Sequence, residues 1–220
     1  TLWHSDLLAQ VPRVQHAVTG RATGLGRADG NVGFSAPRDK PDAWAMRQHW
    51  CALAGLDASR LVTLGQIHGA GVHQVSRAES GRGAQPGTEQ IGLGDALVTN
   101  QPGPVLMTLH ADCQALLFVD PGSSTRGPAV GVAHAGWRGL AGGVIEAMAA
   151  DARRLASPDA RWLAWLGPAI GPPSFEVGDA VREAFVAHSA RAGAAFVAGG
   201  PAGKGHGRPS PPARTRPTRR

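Results

Sequence analysis

The sequence predicts an α+β fold around a mixed sheet, and three observations predict it. Several short apolar runs follow one another before a long helical pattern sets in, which is not the regular alternation of a doubly wound parallel sheet. Gly24-Leu25-Gly26 lacks a third glycine and follows a loop rather than a strand, so there is no dinucleotide fingerprint. With 220 residues, 42% of them hydrophobic, the chain can bury a core and suits a single domain, or one large and one small lobe.

The elements follow from pattern. Val14–Val18 reads as a first strand, and residues 20–33, with five glycines, as a loop. Residues 42–56 read as a helix capped by Asp42, with Met46, Trp50 and Leu53 at helical spacing. Leu61–Ile67 reads as a strand that delivers His68, and Val72–Val75 as its continuation after a kink at Gly69–Gly71. Residues 77–92 are rich in Gly, Gln and Glu and read as an exposed loop. Ala96–Thr99, Val105–Leu109 and Ala115–Val119 are three further apolar runs, and 121–128 is a Gly/Ser turn. Ala129–Ala133 is a strand delivering His134. Leu140–Leu155 reads as one helix with Val144, Ile145, Met148 and Leu155 on one side. Trp162–Leu166 is a late strand and Asp179–Ala190 the last helix. From Gly199 the composition turns to Gly, Pro and Arg, so residues 199–220 read as a disordered basic tail after a catalytic domain at 1–198.

Charge excludes more than it suggests. The net charge of +6 arises in the tail, where Lys204, Arg208, Arg214, Arg216, Arg219 and Arg220 meet no acidic residue. Removing these six from 22 leaves 16 basic residues against 16 acidic ones. A neutral body, and a tail without interleaved aromatics, give no stacking surface for single strands, so no specific nucleic-acid partner is expected. No run approaches the roughly 18 apolar residues of a membrane span, and Thr1–Pro12 does not read as a signal peptide. Two cysteines do not make a disulfide framework, which favours a reducing cytoplasm.

The chemistry concentrates in three settings: QIHG with His68, ADC with Cys113, and AHAGWRG with His134. Two imidazoles and a thiolate make three ligands for Zn²⁺, leaving a fourth position for water or substrate, as catalytic zinc sites do. The separations match no short finger or ribbon, so the fold must assemble them. Taken singly, Cys113 also reads as a small core residue, and the histidines as turn caps. His110 lies three residues before Cys113; in an extended segment the two point to opposite faces, which argues against His110 as a ligand. Cys51 beside Trp50 reads as core.

Four ordered motifs carry a resemblance: QIHG, then DALVTNQPG with LHADCQALLF, then GVAHAGWRGLAGGVIEAM, then WLGPAIGP with SFEVG. Over about His16 to Gly178 the chain resembles the bacterial family known as multicopper polyphenol oxidase or purine nucleoside phosphorylase. That resemblance implies a sandwich of mixed sheets flanked by helices, with His68, Cys113 and His134 as zinc ligands. It implies Asn31 and Arg47 as polar residues of a substrate pocket, with Arg21 matching less closely in a shortened loop. The implied activities are phosphorolysis of adenosine, inosine, guanosine and S-methyl-5′-thioadenosine, and deamination of adenosine. The partners would be purine nucleosides and phosphate, with a homodimer left open.

Phosphate would need cations, for which Arg47, Arg138 and Arg21 are candidates, and the helix start after Trp137 is a second anion site. Asp112 is expected either to orient a ligand histidine or to act as general acid/base. Where the family continues with a Trp-His-x-Asp-Leu-like segment, this chain reads Lys204 to Pro209 and then Pro/Arg, as a shifted reading frame would.

Three other functions compete. A copper-dependent phenol oxidase, as the older family name suggests, needs a blue-copper site and a trinuclear cluster, about ten or more His and Cys ligands. The chain has nine His and two Cys, scattered, with no His-x-His pair. A cysteine hydrolase or amidase acting on cell-wall peptide precursors would use Cys113 as nucleophile. An inactive metal-binding protein would bind Zn²⁺ and turn nothing over.

Overall fold

Alternating residues decide which way each central strand faces. Ala96 and Val98 look one way and Leu97 and Thr99 the other, and the same alternation runs through residues 115–119 and 129–135, so this sheet is covered on both faces. The computed structural model describes residues 1–35, 39–122, 127–156, 160–197 and 208–209. By contacts the chain divides into two units, Thr1–Ala169 and Ile170–Arg220.

In the first unit the elements are, in order, β1 (Leu2–Trp3), α1 (Asp6–Ala9), β2 (Val18–Thr19), α2 (Lys40–Leu53), β3 (Leu61–Val62), β4 (Val72–Gln74), β5 (Ala96–Thr99), β6 (Val105–Leu106), β7 (Gln114–Asp120), β8 (Ala129–Ala135), α3 (Trp137–Ala141), α4 (Val144–Leu155) and β9 (Leu163–Leu166). The second holds α5 (Asp179–His188), β10 (Phe196–Val197) and β11 (Arg208–Pro209), the last two paired antiparallel. The main sheet has the order β4-β5-β8-β7-β9. Only β4 and β5 are parallel, so the sheet is mixed, and with its helices the fold is α+β as the sequence predicts.

One face of this sheet is covered by α4. Its Val144, Met148 and Ala152 pack with Ala96, Val98, Leu116, Phe118, Ala133 and Ala135. The spacing i, i+4, i+8 puts all three on one stripe, and burying Val144 and Met148 contributes about 1.5–3 kcal/mol each. Gly131 lets Phe118 lie flat on β8, since a Cβ there would stand 2.3 Å from Phe118 Cε1. On the opposite face, Leu97 and Val132 pack with Val62, Leu64 and Val75, while Val119 and Trp165 pack with Leu8 and Val11. The parallel pair β3–β6 and the short α1 therefore make the second layer.

Several expectations change. The first expected strand is only Val18–Thr19, paired with the N-terminal Leu2–Trp3, an element that has no periodic signal at two residues. The helix α2 starts at Lys40 because Asp39, not Asp42, caps it: Asp42 N–H donates to the Asp39 carboxylate at 3.1 Å. Its buried stripe is Ala43, Met46, Arg47, Trp50 and Cys51, whereas Leu53 is 59% exposed. The expected helix 140–155 is two, broken at Gly142–Gly143, where Gly143 takes φ +85°. The strand at 61–67 and that at 105–109 shorten to two residues each. The loop 77–92 is not wholly exposed, for Ala84 is buried with Cys51 and Leu61. The tail expected at 199–220 lies outside the described residues, apart from Arg208–Pro209.

Candidate metal centre

The site forms at one end of the central strands. His134 lies within β8, and its backbone N–H donates to Asp95 O at 2.8 Å, just beyond the first paired residues of β5. Cys113 immediately precedes β7. His68 sits in a turn after β3, where its φ is +58°. That left-handed conformation is uncommon for a side-chain-bearing residue and costs energy unless its surroundings enforce it.

Here Asp95 enforces it. Its side chain is fully buried, and it accepts backbone N–H bonds from Ile67 at 3.2 Å, His68 at 3.1 Å and Gly69 at 2.7 Å. The same carboxylate accepts from His134 Nδ1 at 2.8 Å. With Nδ1 carrying the proton, Nε2 of His134 presents its lone pair away from Asp95. A second clamp joins the turn to the Cys113 segment: the Gln66 amide donates to Leu109 O at 2.8 Å and accepts from Leu109 N–H at 2.6 Å.

The result brings His68, Cys113 and His134 together, with one ligand atom from each lying within 4.8 Å of the others. The rings of His68 and His134 meet edge to face at 4.7 Å between centroids. Donors around a tetrahedral zinc stand about 3.3–3.7 Å apart, so a two-nitrogen, one-sulfur set at this spacing could hold a metal ion. Gly136 forms the wall beside it. A Cβ there would lie 3.1 Å from His68 Cδ2, 3.2 Å from Cys113 Sγ and 3.4 Å from His134 Cε1.

The electrostatics suit a cation. Burial pushes the Cys113 thiol up, and the charges of Asp112 and Asp95 push it further. A thiol among carboxylates is disfavoured as a free thiolate, whereas a metal ion would neutralise it. His110 stays outside the group of three, but not by facing away: residues 111–113 form a bend rather than an extended segment, and its ring lies 5.4 Å from that of His134. Its Nε2 meets Thr108 Oγ1 at 2.9 Å, and burial, then His134, lowers its pKa to about 4.

The other candidate residues fall elsewhere. Asp112 is exposed next to Cys113, and the carboxylate bonded to the His134 ring is that of Asp95. Arg47 is only 3% exposed; its Nε donates to Val32 O at 2.9 Å and NH1 to Ala84 O at 2.5 Å, with its guanidinium 3.7 Å from the Phe34 ring centroid. Burial lowers its pKa to about 10, so it remains a cation. It holds the carbonyl of Val32, the residue after Asn31; the Asn31 side chain accepts from Gly33 N–H at 2.7 Å and lines a cavity of about 250 Å³ with Arg27, Asp39 and Asp42, among others. Arg21 is exposed and paired with Asp29 at 2.6 Å. Arg138 is exposed and lies over the Trp137 ring at 4.4 Å, without a carboxylate partner among the described residues. The helix it opens, α3, has five residues.

Asp95, Gln66 and Gly136 were not picked out by sequence reasoning. The signal for Asp95 was present: an acidic residue between Gly94 and an all-apolar run is placed where its charge must be matched by buried donors.

An α+β protein with a His-Cys-His centre held by a buried carboxylate is thus defined. The chain matches the family described as multi-copper polyphenol oxidoreductase laccase over residues 15–207, and it belongs to that family. The match reaches beyond Gly178, into the stretch read from sequence as a tail. The chain is 40% identical over 159 residues to purine nucleoside phosphorylase YfiH of Escherichia coli, covering 72% of this chain and 59% of that protein. It is 39% identical over 186 residues to purine nucleoside phosphorylase PA4543 of Pseudomonas aeruginosa, covering 84% and 69%. The crystal structure of Bacillus licheniformis YfiH superposes with a TM-score of 0.72 at 27% identity, over 83% of this chain and 67% of that one. YlmD of Geobacillus stearothermophilus gives 0.65 at 32% identity, over 76% and 60%. The chain therefore spans about three-fifths of the length of the Escherichia coli relative. No helix among the described residues is long and apolar enough to cross a membrane.

Proposed function

We propose that this chain is a zinc-dependent purine nucleoside enzyme. It would phosphorolyse adenosine, inosine, guanosine and S-methyl-5′-thioadenosine, and deaminate adenosine. The observation that carries the reading is the convergence of His68, Cys113 and His134 on one point, in a chain resembling relatives named purine nucleoside phosphorylase. Three protein ligands, with no fourth among the described residues, fit a catalytic zinc that keeps a position open. When bound there, zinc would supply Lewis acidity and lower the pKa of water to about 7.

The chain's own groups have separate tasks. Asp95, bonded to Nδ1, leaves Nε2 of His134 to face the centre. Arg138, without a carboxylate partner among the described residues and two residues from Gly136, holds phosphate through its guanidinium. In phosphorolysis a phosphate oxygen bonds to the anomeric carbon as the glycosidic C–N bond breaks. The base leaves with the electron pair and takes a proton, giving free base and ribose-1-phosphate. In deamination water adds at C6 and ammonia leaves. Asp112, exposed beside Cys113, accepts or returns a proton in either case. Asn31 and Arg47 shape a polar pocket, with Arg47 acting chiefly by fixing the loop that carries Asn31.

The cysteine hydrolase reading is disfavoured by the burial, and then the carboxylates of Asp112 and Asp95, that push the Cys113 thiol up. A copper phenol oxidase would need further ligand clusters, and among the described residues His68, Cys113 and His134 form the single metal-capable group. The test is chromatography of products from adenosine and phosphate, with protein reloaded with Zn²⁺. Adenine with ribose-1-phosphate, or inosine with hypoxanthine, supports the proposal. Bound zinc with no product favours an inactive metal-binding protein.

A further inference from the structure

The turn Gln66–Gly69 is tied to the segments that carry Cys113 and His134 by the side chains of Gln66 and Asp95, neither of which belongs to the metal-capable group. Asp95 Oδ1 is shared by His68 N–H and His134 Nδ1, and Oδ2 by Ile67 N–H and Gly69 N–H. Gln66 closes a two-bond ring with the Leu109 backbone, on the segment leading to Cys113. We propose that Asp95 is a positioning residue that presets the metal group, fixing the His134 tautomer and the left-handed backbone of His68 through one buried carboxylate, with Gln66 coupling Cys113 to the same turn. This rests on reading His68, Cys113 and His134 as the metal ligands.

The physical reason is that both oxygens of Asp95 face donors only. A carboxylate satisfies four donors at once; an amide of the same shape does not. In Asp95→Asn, one amide orientation sets NH₂ against the N–H groups of Ile67 and Gly69. The other sets it against His68 N–H and His134, where the imidazole relieves the conflict by moving its proton to Nε2. That proton occupies the lone pair a metal needs. Either the turn opens or the ligand is blocked, although the volume of residue 95 is unchanged. Partners that orient ligand histidines in this way are typically worth about 10–100-fold in metal affinity.

The test uses the full chain, stripped of metal, and Zn²⁺ as probe. Long-range ¹H–¹⁵N spectra report the His134 tautomer, amide exchange reports Ile67, His68 and Gly69, and competition with a chromophoric chelator reports Zn²⁺ affinity. The metal-free wild type is expected to hold His134 as Nδ1–H with those three amides protected. Asp95→Asn is expected to shift the tautomer or expose the amides and to weaken Zn²⁺ about 10–100-fold. Gln66→Leu is expected to weaken Zn²⁺ while leaving the His134 tautomer alone. An Nε2–H tautomer in the metal-free wild type overturns the proposal, even if Asp95→Asn does not fold. So does a folded Asp95→Asn with wild-type Zn²⁺ affinity. If the wild type takes up no Zn²⁺, the metal reading fails, while the tautomer and amide measurements still decide whether Asp95 holds the turn.

Discussion

Asp95 and His134 are joined twice. Their side chains meet at 2.8 Å between Oδ1 and Nδ1, and the backbone N–H of His134 donates to the backbone oxygen of Asp95 at 2.8 Å. The second bond extends the β5–β8 ladder one step past Ala96 and Ala133, and by doing so it sets the two side chains on the same face of the sheet. With Asp95 at 0% exposed and His134 at 4%, water does not compete for this pair. The histidine is therefore aimed by the sheet itself, and the candidate metal group is anchored on two largely buried strands.

Removing one ligand should release the metal without unfolding the protein. Cys113 is only partly buried, and Cys113→Ala deletes a sulfur at the edge of the core. We expect the wild type to carry one Zn²⁺ and to lose thermal stability on treatment with a chelator, by the mass-action amount that any ligand specific to the folded state supplies. Cys113→Ala should carry no stoichiometric metal and show no chelator-dependent change in Tm. Elemental analysis and thermal scans with and without chelator check this.

Gly136 should be intolerant of a methyl group for a reason unrelated to its backbone. Its φ of −71° and ψ of 160° are available to alanine. The added Cβ instead meets His68, Cys113 and His134 at 3.1–3.4 Å. Gly136→Ala should therefore keep its urea midpoint while losing Zn²⁺ affinity by about 10-fold or more, the scale on which displaced ligand geometry is felt. Equal losses of stability and affinity would place the effect in the fold instead.

Two arginines that look alike in the sequence should separate in the laboratory. Arg138 is exposed and free of acidic partners among the described residues, while Arg47 is buried on carbonyl oxygens. Arg138→Ala should raise KM for phosphate about 10- to 100-fold, from the roughly 1.5–3 kcal/mol of a charge-assisted bond, with stability unchanged. Arg47→Ala should lower the urea midpoint, because two carbonyls and the Phe34 face lose their partner. Steady-state kinetics with phosphate as the varied substrate and urea denaturation of both variants distinguish the roles.

The three motifs that supply the candidate metal group stand out because each carries its own local signature, and the α+β class was legible because strand and helix periods differ. What was not legible depends on pairing between distant segments. Asp95 is 39 residues from His134 in the chain and becomes its partner only through the register of β5 and β8. Asp112, by contrast, is adjacent to Cys113 in the sequence and needs no strand pairing to lie beside it. The two-residue strands at Leu2–Trp3 and Leu61–Val62 are too short for any period to show. Leu53 fits the helical stripe of α2 by spacing, yet the helix ends there and the side chain faces solvent.

That last difference is measurable. Met148 is 2% exposed on the sheet-facing side of α4, and Met148→Ala should cost about 2–5 kcal/mol through lost transfer energy and a residual cavity. Leu53→Ala, at 59% exposure, should change stability by no more than about 0.5 kcal/mol. Urea titrations analysed for ΔG of unfolding check the pair, and similar values for the two would contradict the burial pattern of these helices.

Acid should loosen the N-terminal segment through His16. The N–H of Ser5 donates to His16 Nε2 at 2.8 Å, so this ring is neutral with its proton on Nδ1, and it stands edge-on to Trp165 at 5.8 Å. Burial, and then the neighbouring His4, lowers its pKa below the ordinary 6.5. A base whose folded pKa is depressed contributes stability that is fully present above its unfolded pKa and is lost as pH falls through the folded one. Protonation also puts a hydrogen where Ser5 N–H now donates, and Ser5 is the cap of α1. Amide exchange of Ser5 and Leu8, corrected for its intrinsic pH dependence, should be unchanged from pH 8 to 7 and should accelerate below about pH 6. In His16→Gln, whose amide oxygen accepts without titrating, the acceleration should disappear. If both proteins accelerate alike, the acid sensitivity of this segment arises elsewhere than at His16.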